Sequence, residues 1–102
     1  SRTMKRTAAL LDSFRLVTAR ILKARLEGRK DNPTGAELVE AVQRDFEAHM
    51  NSDLGVGTAF DSIFSHLVKL DKMREKGLLS QGHVKKLRET LERIDRVWNV
   101  IF

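Results

Sequence analysis

Apolar residues recur along this chain at steps of three and four, and four separate stretches carry such a stripe. In the first, Leu10, Phe14, Val17 and Ile21 share one face, broadened by Leu11, Leu22 and Leu26. The spacing predicts a helix over about residues 4–28. Gly28 is its expected stop, and Arg25, Arg29 and Lys30 suit the negative end of its dipole. In the second stretch, Leu38, Val42, Phe46 and Met50 lie four apart, which predicts a helix over about 35–51. Thr34 and Glu37 have the spacing of a capping box at its start, after a loop in which Pro33 biases Asn32 away from helix.

The third stripe holds Val56, Phe60, Ile63, Leu67 and Leu70, with Ala59, Phe64, Val68 and Met73 beside them. It is the most apolar, and it predicts a central helix over about 56–76, closed by Gly77. Ser80 is a good N-cap for the fourth, predicted over about 81–99. There Val84, Leu87, Leu91, Ile94, Trp98 and Ile101 alternate steps of three and four, a heptad seam. Charges four apart, such as Arg88 and Glu92, mark the outer side of this helix as a solvated surface. No stretch alternates with a period of two long enough to make a strand. The expected fold is therefore all-α, an antiparallel four-helix bundle.

A chain of 102 residues, 41% hydrophobic, makes one domain over 1–102 with a modest core. The absence of cysteine removes disulfides, thiolate metal sites and cysteine nucleophiles, and agrees with a cytoplasmic setting. No apolar run nears the roughly 20 residues that span a bilayer, so no membrane partner is expected. The apolar end at Val100, Ile101 and Phe102 suggests a segment excised from a larger chain.

Charge changes the picture more. Residues 1–30 hold nine Lys/Arg against two acids, a net +7, while residues 31–102 hold ten against twelve, a net −2. The excess lies in the first third, which points to a polyanion or an acidic partner surface, or else to no more than a well-solvated helix face. Arg2, Lys5, Arg20 and Lys23 fall on the side of the first helix opposite its stripe, which makes them candidate phosphate contacts. Arg15 and Arg25 flank the stripe, and Leu16 stands on the polar side.

Catalytic chemistry finds no foothold. His49, His66 and His83 fall on different faces, without an HExxH pattern or an acid at ligand spacing, so no metal site is expected. No nucleophile elbow and no phosphate-cradling loop is present, and no catalytic residue is assigned. The aromatic side chains, Phe102 apart, lie on apolar stripes and belong to the core. They are not base-stacking platforms.

One stretch resembles a known family. Phe46, Met50, Asn51, Asp53 and Leu54, followed by Ala59 and Phe64, are similar to the phenylalanine, AMNDDLNTP-like turn and ALAALF-like helix of the helical bundle in cysteinyl-tRNA synthetases, the region related to the DALR anticodon-binding domain. Gly77, Leu78 and Ser80 match that family's loop into the last helix. Leu91, Ile94, Asp95, Val97 and Val100 resemble its closing segment. The likeness covers about residues 45–102. The chain has Val56-Gly57 where the family carries Thr-Pro, and Ser52 where it carries a second acid. The first helix matches by type and length only.

The resemblance implies a tRNA-binding segment that seats the stem and anticodon arm. The parent would be a ligase that uses ATP, magnesium and a zinc ion to attach cysteine to its tRNA. The implied partners are tRNA and the parent's own catalytic domain. The segment itself would be no enzyme and would hold no cofactor. The alternative expectation is a small helical protein-interaction module without an RNA role, docking through the edge near Val100 and Phe102.

Overall fold

The structure, a computed structural model, describes residues 2–24, 32–51, 55–99 and 101, with side chains from residue 9 onward. It contains four α-helices, α1 (Arg2–Leu22), α2 (Pro33–Asn51), α3 (Val56–Glu75) and α4 (Gln81–Trp98). Among the described residues there is no strand. No described helix is long and apolar enough to cross a membrane.

The helix ends follow from local chemistry. α1 stops at Leu22, earlier than its apolar pattern predicts, and its last turn tightens as the Ala24 amide bonds to Ile21 O at 3.3 Å. The orphan carbonyl of Leu22 accepts a hydrogen bond from Arg88 Nη2 of α4 at 3.0 Å, which places a cation at the negative helix end. The predicted stop at Gly28, with Arg25, Leu26, Arg29 and Lys30, lies outside the described residues.

α2 is capped two residues before the predicted box. Asn32 Oδ1 accepts from the Thr34 amide at 2.8 Å, and Asn32 O accepts from Ala36 at 3.0 Å. Pro33 then occupies the first helical position, where its fixed φ fits and its missing N–H costs nothing. α3 closes as its glycine predicts. Gly77 has φ 74°, its amide bonds to Arg74 O at 3.1 Å, and the Leu78 amide bonds back to Met73 O at 2.8 Å. Of the two leucines that follow, Leu79 is buried and Leu78 is exposed. Ser80 caps α4, its side chain accepting from the His83 amide at 3.1 Å. After Trp98, Asn99 takes a left-handed conformation, and Asp95 Oδ1 catches the Ile101 amide at 2.7 Å, so Ile101 ends the seam from outside the helix.

Consecutive helices reverse direction, as an antiparallel bundle requires. Neighbours around the bundle, however, run in the order α1, α3, α2, α4. Phe14 meets Phe60 and Arg20 meets Asp71, so α1 and α3 lie side by side and parallel. Gly35 meets His83 and Phe46 meets Trp98, so α2 and α4 are parallel too. α2 and α3 are antiparallel and pack together along the largest shared surface. The corner residues 52–54, including Ser52, Asp53 and Leu54 of the family-like turn, lie outside the described residues.

The core is one cluster of Phe14, Ile21, Val39, Val42, Ile63, Leu67, Leu70, Leu87, Leu91 and Ile94, joined by six further buried apolar side chains. Each fully buried large side chain contributes about 1.5–3 kcal/mol relative to exposure. Three predicted stripe members are exposed instead of buried. Leu10, Met50 and Val56 are exposed, because all three lie near the same end of the bundle, where the helices run out of neighbours. Thr18 takes a core position on α1 that the apolar pattern did not mark.

Candidate nucleic-acid interface

The four candidate cations divide into two pairs. Arg2 and Arg20 are 18 residues apart on α1, about 27 Å along its axis, while Lys5 lies near the start of the helix and Lys23 just past its end. Arg2 and Lys5 sit in the first two turns of α1, and their side chains lie outside the described residues. Arg20 and Lys23 stand at the opposite end, next to α3 and α4.

Neighbouring groups treat these two differently. The Arg20 guanidinium, half exposed, is 3.8 Å from Asp71 Oδ2. Asp71 is buried and also accepts from Arg74 Nε at 2.7 Å, so one carboxylate faces two guanidinium groups. The salt bridge therefore partly offsets the positive charge of Arg20. Lys23, in the turn after α1, is exposed.

Two cations that the stripe pattern assigned to other duties join Lys23. A groove of about 250 Å³ runs between α1 and α4, lined by Arg15, Thr18, Ala19, Leu22, Lys23, Arg88 and Ile101. No acidic side chain is among these. Its floor is apolar, from Ala19, Leu22 and Ile101, and three cations surround it. The expectation that the outer side of α4 is only solvated surface is thus corrected at Arg88, which reaches across to α1. Arg88 could not be placed there from spacing alone, because the contact depends on α4 lying beside α1. Arg15 was visible as a residue flanking the stripe, without its neighbours.

The histidines are structural, but two have partners that local spacing did not reveal. His66 Nε2 donates to Asp45 Oδ2 at 2.7 Å, across from α3 to α2, and Ser62 Oγ donates to the same oxygen. Serine, histidine and aspartate therefore meet, but the acid stands between the other two. A nucleophilic relay needs the imidazole in the middle to take the hydroxyl proton. The cluster ties α2 to α3 and has no arrangement for proton relay. Among the described residues, no group of three or more His, Cys, Asp or Glu is placed to hold a metal.

His83 is buried between α2 and α4. Its Nδ1 accepts from the Ser80 amide at 3.1 Å, so a neutral ring carries its proton on Nε2 and donates to Asn32 O at 3.1 Å. The ring thus completes the cap of α4 and touches the cap of α2. His49 packs edge-on to Trp98, ring centroids 5.8 Å apart. Phe14 stacks on Phe60 at 4.8 Å and Phe46 meets Trp98 edge-on at 5.9 Å, so these aromatics serve the core, as their stripes predict.

Comparison of the chain with family models, with curated proteins and with solved structures finds no match. The arrangement itself defines an all-α four-helix bundle with a cation-rimmed groove at one end.

Proposed function

We propose that this bundle is the tRNA-seating helical segment of a cysteinyl-tRNA synthetase, acting on the stem and anticodon arm through the α1 end that carries Arg15, Arg20 and Lys23. The observation that carries the reading is the groove beside that end: three cations, Arg15, Lys23 and Arg88, and no acid among its lining residues. Phosphates are the ligand class such a surface attracts, because each neutralised phosphate releases condensed counterions. The family-like residues from Phe46 to Phe64 add support of a different kind. Those that the structure describes end α2 and open α3, several of them buried or packed against the core, so they speak for kinship and not for a contact. In this reading ATP, magnesium and zinc chemistry belongs to the parent's catalytic domain, and the segment works in the cytoplasm without chemistry of its own.

The test is binding of a cysteine tRNA transcript to the chain over a salt series. Affinity is expected to fall with salt on a log–log slope of two or more, as for several phosphate contacts. A flat response, together with a stable complex with another protein, would sink the proposal in favour of an interaction module.

A further inference from the structure

We infer that the α1–α4 groove takes a single unstacked nucleotide of the bound RNA, its base on the apolar floor and its phosphate at the cationic rim. This rests on the tRNA reading and names what that surface holds.

The shape is the first argument. The groove, about 250 Å³ and open on one side, has room for a single base. The chemistry is the second. A groove built for inorganic phosphate alone would be polar throughout. Here Ala19, Leu22 and Ile101 present an apolar surface, while Arg15, Lys23 and Arg88 stand at its margin. Apolar floor and cationic rim together match the two halves of a nucleotide. RNA is read most often where a base leaves the stack and packs against side chains, Arg guanidinium planes among them.

Thr18 is the third argument. It lines the groove, and its Oγ1 is buried with no hydrogen-bond partner among the described residues. An unpaired buried hydroxyl is costly to the fold alone, and such exceptions call for a reason. A step to another staggered rotamer re-aims it. The hydroxyl can then donate to or accept from the edge of a base lying on the floor.

Amide chemical shifts of the chain, followed while AMP, CMP or inorganic phosphate is added, test this. With either nucleotide, the amides of Thr18, Ala19, Leu22 and Ile101 are expected to move and saturate. Inorganic phosphate should bind at least fivefold more weakly. Thr18→Val should melt at the same or a higher temperature, since it removes an unpaired hydroxyl, yet weaken the nucleotides at least threefold. Lys23→Ala, in an exposed turn, should weaken them by a similar factor. Equal affinity for phosphate and nucleotide, shifts elsewhere, or unchanged binding by Thr18→Val would overturn the inference. A tRNA titration separates the two readings. If tRNA binds while the groove stays silent, the pocket fails and the tRNA reading stands. If nucleotides fill the groove while tRNA does not bind, the pocket stands and the tRNA reading fails.

Discussion

Gly35, in the first turn of α2, lies against the imidazole of His83 on α4 so closely that a β-carbon on the glycine would stand 2.6 Å from Cε1 and 2.8 Å from Nδ1. The ring has little room to retreat, because both its nitrogens are engaged, one by the Ser80 amide and the other by Asn32 O. Two helix starts and one side chain are thereby locked together.

Gly35→Ala is therefore expected to destabilise the bundle. Helix propensity would favour alanine by up to about 1 kcal/mol, but forced overpacking costs about 1–3 kcal/mol, and the clash should win. In a double-mutant cycle with His83→Ala, urea midpoints should show the Gly35→Ala penalty shrinking or reversing once the ring is gone. A stabilising Gly35→Ala in the wild-type background would show that the contact is looser than described.

Asp71 offers a sign test that separates structure from binding. The carboxylate is buried and holds Arg74, with Arg20 nearby. Asp71→Asn is expected to lower stability by about 1–3 kcal/mol, since a buried charged hydrogen bond is weakened. It also releases positive charge beside Lys23, so tRNA affinity at low salt should hold or rise while the melting temperature falls. Parallel loss of both would mean that Asp71 acts on RNA only through the fold.

Asp45 connects α3 to α2 through Ser62 and His66. Asp45→Ala leaves both partners short and is expected to cost about 1–3 kcal/mol, with Ser62→Ala costing less. A cycle between Asp45 and His66 should return a coupling of at least ~0.5 kcal/mol in chemical denaturation. Additive single-site losses would show the two groups to be independent.

Much of this fold was legible because its signals are local. The seam of α4, the stop at Gly77 and the cap at Ser80 each depend on residues within a turn or two of one another. The cap of α2 was misplaced because Thr34 and Asn32 are both good caps, and the pattern alone did not weigh Pro33 at the first helical position. Leu10 and Thr18 exchanged places for a different reason. Periodicity says which side of a helix is apolar, but the end of the bundle and the position of a neighbour decide which turn is covered. The groove was illegible for the same cause. Arg15, Lys23 and Arg88 come together only because α4 neighbours α1, and nothing local in their sequence records that order. The link between His66 and Asp45 likewise needs α2 and α3 in register.

The central claim, that the end of α1 meets RNA phosphates, is tested most directly by two double charge reversals that change the net charge by the same amount at different places. The double charge reversal Arg15→Glu with Lys23→Glu is compared with Lys85→Glu and Arg96→Glu, two exposed α4 residues that are not among those lining the groove. Both doubles change net charge equally, so long-range attraction is matched between them. At fixed salt, the α1 pair should cost tRNA affinity at least tenfold and reduce the salt slope, and the α4 pair less than threefold. Equal losses in the two doubles, or no loss in the first, would contradict the account.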